Sequence, residues 1–173
     1  MKKNFIQVVL FSKVIFFAGG GTNSANPYYS SYTLGKISLI KAVELLANEI
    51  NFVNKILHEF LHCEEVRVRV ATIHGLMCPK FHADHVYCRM LVTVRGPSTE
   101  WIACDDVQQD ILSDFDSNIL PLKEGKTIRK LAPGDMSLLK GGKWQDGFSG
   151  VIHRSPHEEG PRLLLTFDPI LPG

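Results

Sequence analysis

The apolar residues between Leu39 and His62 recur at alternating steps of four and three, as they do along one face of an amphipathic helix. The members of this apolar stripe are Leu39, Val43, Leu46, Ile50, Val53, Leu57 and Phe60. The pattern predicts a helix that packs the stripe against the rest of the protein.

Beyond the helix, the period of the apolar pattern changes to two. The segment EVRVRVATI places Val66, Val68 and Val70 on one face, as in a β-strand. Further short segments of β type, separated by Gly and Pro, are VYCRMLVTV, MSLLKGGKW, GVIHRS and RLLLTFD. Apolar residues at four-residue steps between Asp105 and Asn118 predict a short helix inserted among the strands.

One helix followed by many short strands predicts a mainly β fold. We expect a double-stranded β-helix, that is, a cupin-like jelly roll, with an N-terminal amphipathic helix. The 173 residues, 45% of them hydrophobic, suffice for one domain with a core, predicted at residues 36–173.

Residues 1–35 are not assigned to this domain. Their start, MKKNFIQVVLFSKVIFFAGGG, has the basic, apolar and small-residue order of a secretory signal. Gln7 and Lys13 interrupt the apolar run, however, and the run is shorter than the about 20 residues that span a bilayer. We therefore interpret it as a strand or a strand pair followed by a loop rich in Gly, Ser and Asn, with export as the alternative.

The charge balance is nearly even, with 19 basic and 18 acidic residues and no long basic run. This balance argues against a nucleic-acid or membrane partner and leaves a small-molecule or protein substrate of unknown identity. The four cysteines are too irregularly spaced for a disulfide framework, so a cytoplasmic location is the default expectation.

The segment HEFLH at residues 58–62 spells the H-E-x-x-H signature of zinc proteases. With Val53 at the centre of the buried stripe and about 100° per residue, His58 and His62 fall on the solvent face of the helix. The sequence extension that would supply a third zinc ligand is absent. A solvated helix end is the simpler interpretation.

A second cluster lies in CPKFHADH, before a predicted strand. His82 and Asp84 are two residues apart, so both side chains project from one face of an extended chain. A third ligand must come from elsewhere, and the candidate is His153 in GVIHRS. Two histidines and one carboxylate form the facial triad of non-haem Fe(II) oxygenases. Arg162 opens the next apolar strand, predicted as an antiparallel neighbour that brings a carboxylate-binding guanidinium beside the metal.

Between about residues 78 and 168, four motifs follow one another in the order H-x-D, G-D turn, H-R-S and R-L-x-L-T. This order resembles that of the Fe(II)/2-oxoglutarate dioxygenases. The resemblance implies that His82, Asp84 and His153 hold Fe(II) and that Arg162 binds the distal carboxylate of 2-oxoglutarate. It implies no catalytic residue beyond the metal ligands.

A closer resemblance is carried by four segments, CPKFHADHVYCRMLVTVRGPSTEW, GDMSLLKGGKW, VIHRSP and RLLLTFD. In these segments the chain resembles an uncharacterised bacterial family, domain of unknown function 1826. This resemblance extends over most of the chain after Leu39. It also implies a link to bacterial zinc homeostasis, which makes zinc the alternative metal.

Simpler interpretations of these residues remain open. His82 and Asp84 can pair with each other while His153 is a core residue, and Arg162 can pair with a nearby glutamate. Residues that could line a pocket near the cluster are Cys78, Arg89, Arg95 and Trp101. The alternation of the strand explains the two arginines equally well as a solvated face. Cys78 or Cys88 would complete a zinc site with His82, although both are also explained by packing.

The leading hypothesis is a metal-dependent oxygenase of the Fe(II)/2-oxoglutarate type that acts on an unknown substrate. The main alternative is a non-catalytic, zinc-binding, cupin-like protein linked to metal homeostasis. A scaffold used only for protein contacts is a third option. A cysteine as fourth ligand would favour zinc, and three open positions facing Arg162 would favour the oxygenase.

Overall fold

The computed structural model describes residues 8–11, 39–114, 119–158 and 160–172. Within them the chain is mainly β, with two antiparallel sheets and few helices. The helices are α1 (Leu39–Leu61) and α2 (Gln109–Ser113), with a short 3-10 helix at Cys104–Asp106. The strands are β1 (Val8–Phe11), β2 (Glu65–Ile73), β3 (Cys88–Arg95), β4 (Glu100–Ile102), β5 (Arg129–Lys130), β6 (Met136–Lys140), β7 (Ile152–Arg154) and β8 (Arg162–Ile170).

The larger sheet has the strand order β1-β6-β3-β8-β2, and the smaller sheet has the order β5-β4-β7. Most sheet neighbours are therefore distant in sequence, and β3 is held between β6 and β8. Such pairing cannot be inferred from the alternation within any one strand, because alternation reports only which faces are apolar.

Helix α1 packs on one face of the larger sheet. Its residues Val53 and Leu57 are buried in a cluster with Met90, Leu165 and Phe167 from β3 and β8. The helical stripe is nevertheless covered only in its middle. Val43 and Phe60, both predicted to be buried, are 57% and 54% exposed, so the ends of the stripe do not reach the sheet.

The opposite face of the larger sheet is also apolar. Leu91 and Leu139 are buried there with Leu131 and Val151, and Trp101 packs partly against them. Residues of both sheets meet in this cluster, so the smaller sheet covers the face that α1 leaves free. The sequence of β3 is a nearly continuous apolar run because both faces of this strand are covered, one by α1 and the other by the smaller sheet.

Strand β2 forms an edge of the larger sheet and pairs with β8 in the described part of the chain. Val68 and Val70, predicted to share one face of a strand, are exposed. The face that they share is the one that carries α1, since Val68 pairs with Phe167 and Val70 with Leu165. The helix therefore does not extend over the edge of the sheet.

Within residues 1–35, only Val8–Phe11 are described, and they form β1, paired with β6. The predicted domain boundary and the alternative of export concern residues outside the described ones and stay predictions.

The helix predicted between Asp105 and Asn118 is shorter than expected, since α2 ends at Ser113 and Asp114 is its C-cap. No helix within the described ranges is long and apolar enough to cross a bilayer.

Candidate metal centre

His82, Asp84 and His153 lie together, with one potential ligand atom from each within 4.8 Å of the others. In the described part of the chain, no other group of three or more His, Cys, Asp or Glu residues gathers in this way. His153 belongs to β7, and His82 forms an isolated antiparallel bridge with it. The backbone N–H of each histidine donates to the carbonyl of the other, at 3.0 and 2.9 Å. The main chain itself thus fixes the distance between the two Cα atoms from which the imidazoles project.

Asp84 lies between the two histidines. Its Oδ1 is 3.8 Å from Nε2 of His82, and its Oδ2 is 3.6 Å from Nε2 of His153. Both distances exceed those of a hydrogen bond. Two ligands that are each about 2.1 Å from an ion at a right angle lie about 3 Å apart, so each of these two distances exceeds that spacing by less than an ångström.

The other nitrogen of each imidazole faces a backbone carbonyl. Nδ1 of His82 is 3.0 Å from the carbonyl oxygen of Lys80, and Nδ1 of His153 is 2.9 Å from that of Val151. A carbonyl only accepts hydrogen bonds, so Nδ1 is the protonated nitrogen in both rings. Nε2 then carries the lone pair and lies within 3.8 Å of a carboxylate oxygen of Asp84 in each ring. In metal-bound histidines the second nitrogen is likewise held by the protein.

Burial lowers the pKa of His153, against the opposing effects of the Val151 carbonyl and the Asp84 carboxylate. The neutral imidazole is the form that binds a metal ion. The donor set of two imidazoles and one carboxylate fits a divalent first-row metal ion.

The backbone of Asp84 is held by the turn after β6. The N–H of Gly142 donates to the carbonyl of Asp84 at 2.9 Å. Gly141 lies so close to the neighbouring loop that a Cβ there would be 2.1 Å from the carbonyl oxygen of Val86. A glycine is therefore required where this turn meets the segment that carries His82 and Asp84.

The arginine in contact with the cluster is Arg89. Its Nη1 donates to Oδ2 of Asp84 at 2.8 Å, while its Nε and Nη2 donate to the two oxygens of Asp168 at 2.6 and 3.0 Å. The hydrogen bond to Asp168 raises the pKa of Arg89. The interpretation of Arg89 as part of a solvated face is therefore wrong. Asp168 was not among the site residues predicted from the sequence. The alternation in RLLLTFD does, however, place its side chain on the strand face opposite to that of Phe167.

Arg162 occupies a different place from the predicted one. It was expected on an antiparallel neighbour of the strand of His153, but β7 pairs with β4, and β8 belongs to the larger sheet. Its Nη2 nevertheless donates to Oγ of Ser155 at 2.9 Å. Arg162 is only 5% exposed, burial lowers its pKa, and its Nη1 has no hydrogen-bond partner among the described residues. No pairing of Arg162 with Glu158 occurs, since Glu158 contacts Lys130.

A cavity of about 440 Å³ adjoins Arg162. Its lining residues are His74, Gly75, Leu76, Pro97, Ser155, Pro156, His157, Glu158, Gly160 and Arg162. A smaller cavity of about 200 Å³ is formed by Lys140 and the segment from Trp144 to Phe148. Neither of these two cavities is lined by Cys78, Arg89, Arg95 or Trp101, so their role in a pocket stays a prediction.

The other proposed pocket residues have separate environments. Trp101 is the direct cross-strand partner of His153, and the Arg129 guanidinium lies 5.0 Å from its ring centroid. Arg95 is exposed. Cys78 is exposed, and its backbone N–H donates to Ser155 Oγ at 3.3 Å. Neither Cys78 nor Cys88 joins the cluster, and Cys88 is buried in the core beneath α1.

The H-E-x-x-H segment ends helix α1. His58 and His62 are exposed, and His62 has a φ of 51°, which terminates the helix. Nδ1 of His58 is 2.8 Å from the carbonyl oxygen of Cys63, just beyond the last turn. These contacts match the expectation of a solvated helix end.

Comparison with curated proteins finds no significant match to the chain. A family model described as "Protein of unknown function (DUF1826)" matches residues 30–168, which include α1, every strand from β2 to β7, and the whole of the His82, Asp84 and His153 cluster. The match begins slightly before the predicted start of the resemblance. The chain belongs to the DUF1826 family.

Proposed function

We propose that this protein binds one divalent metal ion through His82, Asp84 and His153 and is an oxygenase of the Fe(II)/2-oxoglutarate type. The observation that carries the proposal is the direction of the two imidazoles. Each donates Nδ1–H to a carbonyl and has the unprotonated Nε2 within 3.8 Å of a carboxylate oxygen of Asp84. Two neutral imidazoles in these tautomers have no proton to share with the carboxylate, whereas a cation satisfies all three groups.

The alternative without a metal is a direct pair between Asp84 and a histidine. The distances of 3.6 and 3.8 Å are too long for that pair to be hydrogen-bonded. Asp84 and His153 are largely shielded from water, so an unsatisfied carboxylate and imidazole there would be costly. This cost favours an ion over an unfilled arrangement.

The strand order supports a jelly roll as the scaffold. Along the chain, β2 lies in the larger sheet, His82 bridges to the smaller one, β3 returns to the larger, and β4 and β5 lie in the smaller. Strands β6, β7 and β8 then alternate between the sheets again. Such crossing between two sheets is the connectivity of a double-stranded β-helix, in which inward-facing residues of both sheets can share one site.

The surroundings of Arg162 support binding of a carboxylate. Ser155 follows His153 by two residues, a spacing that places both side chains on one face of an extended chain. Ser155 Oγ accepts from the N–H of Cys78 and from Arg162, so its own hydroxyl proton is available to a ligand. That hydroxyl and the unpartnered Nη1 of Arg162 form a pair of donors suited to a carboxylate, next to a cavity large enough for a small dicarboxylic acid.

With Fe(II) bound, the chemistry would be the conversion of 2-oxoglutarate and O₂ to succinate and CO₂, with the second oxygen atom inserted into a substrate C–H bond. The residues of the chain would hold the three ligands on one side of the ion and leave the other positions open. Arg162 and Ser155 would bind the distal carboxylate. The buried apolar residues between the sheets would limit the access of water to the site.

The proposal is tested by incubating the purified protein with Fe(II), ascorbate and 2-oxoglutarate in air and measuring succinate. We expect succinate above the protein-free level, and no such excess with His153→Ala. An iron-loaded wild-type protein that forms no succinate would contradict the oxygenase and leave the zinc-binding alternative. For that alternative, the absence of a cysteine from the cluster in the described residues leaves water as the fourth ligand.

A further inference from the structure

Asp84 is connected to the larger sheet through a chain of charged hydrogen bonds. Arg89 donates to Asp84 at 2.8 Å and holds both oxygens of Asp168 in a bidentate contact. We propose that Arg89, oriented by Asp168, is a positioning residue that fixes Asp84 as a one-oxygen ligand of the metal ion. This inference rests on the metal site proposed above.

The first argument concerns the mobility of Asp84. It lies in the loop before β3, outside any strand, so sheet pairing does not by itself fix the direction of its side chain. Arg89 is the second residue of β3, and Asp168 is on β8. Met90 pairs with Phe167, so Arg89 and Asp168 are the next residues along the two paired strands. The guanidinium is therefore anchored by the sheet and transfers that anchoring to the carboxylate.

The second argument concerns the number of ligand atoms. A carboxylate that bound the ion through both oxygens would occupy two coordination positions. Oδ2 of Asp84 already accepts a short hydrogen bond from Arg89, which favours coordination through one oxygen only. With one atom from each of His82 and His153, three positions remain for other ligands on an octahedral ion.

The third argument concerns charge. Asp84 and Asp168 contribute two negative charges and Arg89 one positive charge, so with neutral imidazoles the group carries one net negative charge. A divalent ion would leave the group one net positive charge, which favours an anionic ligand such as a carboxylate in the open positions. Without Arg89 the group and the ion together would carry no net charge, and the loss of this positive charge would by itself strengthen cation binding. A weaker Co²⁺ affinity in Arg89→Met would therefore report lost positioning of Asp84.

The experiment compares Co²⁺ binding by wild type, Arg89→Met, Arg89→Lys and Asp168→Asn, measured by visible absorption and calorimetry. Arg69→Met is the matched control, because it removes one positive charge from an exposed position of the same sheet. We expect Arg89→Met to weaken Co²⁺ binding by about 10–100-fold, Arg89→Lys and Asp168→Asn to weaken it less, and Arg69→Met to leave it within about two-fold of wild type.

A merely structural cross-link between strands would act differently. It would lower the melting temperature of the metal-free protein without changing the Co²⁺ spectrum or affinity of the folded fraction. If both Arg89 variants and Asp168→Asn bind Co²⁺ as tightly as Arg69→Met does, the positioning role is overturned. The proposed metal site itself would remain intact in that case. Absence of Co²⁺ binding by wild type would instead contradict the proposed metal site itself. If Arg89→Met does not fold, Arg89→Lys and Asp168→Asn still give the comparison.

Discussion

His82 and His153 are held side by side by a reciprocal pair of backbone hydrogen bonds, and their rings, tilted by 46° to each other, have centroids 4.7 Å apart. The pair joins a loop residue to strand β7 of the smaller sheet. Because the backbone fixes both Cα positions, the imidazoles need little reorganisation to share one ligand. Such preorganisation is what a binding site for a small ion requires.

Replacement of either histidine should abolish metal binding. We expect protein purified without chelators to lose most of its bound metal in His82→Ala and in His153→Ala, since each variant lacks one of three ligands. His85→Ala is the control, because His85 is exposed and adjoins Asp84 without belonging to the cluster. The measurement is elemental analysis of the purified proteins. Equal metal content in all four proteins would rule out the site.

Replacement of Arg162 should affect the organic ligand and not the metal. Loss of a charged hydrogen-bond donor costs about 1.5–3 kcal/mol, so Arg162→Met should weaken binding of 2-oxoglutarate by about ten-fold or more while metal content is unchanged. Ser155→Ala should act in the same direction by a smaller factor, and Arg67→Met, at an exposed position of β2, should have no effect. Calorimetric titration of the metal-loaded protein measures both quantities. Unchanged affinity in Arg162→Met would contradict the role of this arginine.

The four thiols should react at very different rates with Ellman's reagent. Cys78 is exposed, whereas Cys88 is 1% exposed and burial raises its pKa to about 12. Burial also raises the pKa of Cys63 and of Cys104. Because the thiolate is the reactive form, we expect one fast phase at pH 8 that disappears in Cys78→Ser.

The same assay distinguishes the two metal hypotheses. If Cys78 is not a ligand, saturating Zn²⁺ should leave its fast reaction unchanged. Protection of Cys78 by Zn²⁺, lost in His82→Ala, would favour a zinc site that includes this cysteine. A fast phase that persists in Cys78→Ser would show that a buried thiol is more accessible than its burial indicates.

The stripe of helix α1 should contribute unequally to stability. Leu57→Ala removes a buried side chain and should lower the free energy of unfolding by about 2–5 kcal/mol. Phe60→Ala, in the same stripe but 54% exposed, should lower it by less than about 1 kcal/mol. Urea denaturation of the two variants measures the difference. Equal losses would mean that the end of the helix is covered in solution.

Several local features could be predicted because they depend on residues close together in the chain. The four-and-three repeat after Leu39 falls on α1, and the period of two after Glu65 falls on β2. The exposure of His58 and His62 followed from the angle between successive residues of a helix. His82 and Asp84 were expected on one side of the chain because of their two-residue spacing.

Other features depend on which strands become neighbours, and this only the tertiary structure decides. The sequence placed Arg162 beside the strand of His153, but β8 pairs with β2 and β3. The guanidinium that contacts Asp84 is therefore that of Arg89, held by Asp168 across two strands. The same holds for Val43, Phe60 and Val68, whose exposure is set by how far α1 extends over the sheet. Periodicity specifies the apolar face of an element, whereas coverage of that face results from long-range packing between distant parts of the chain.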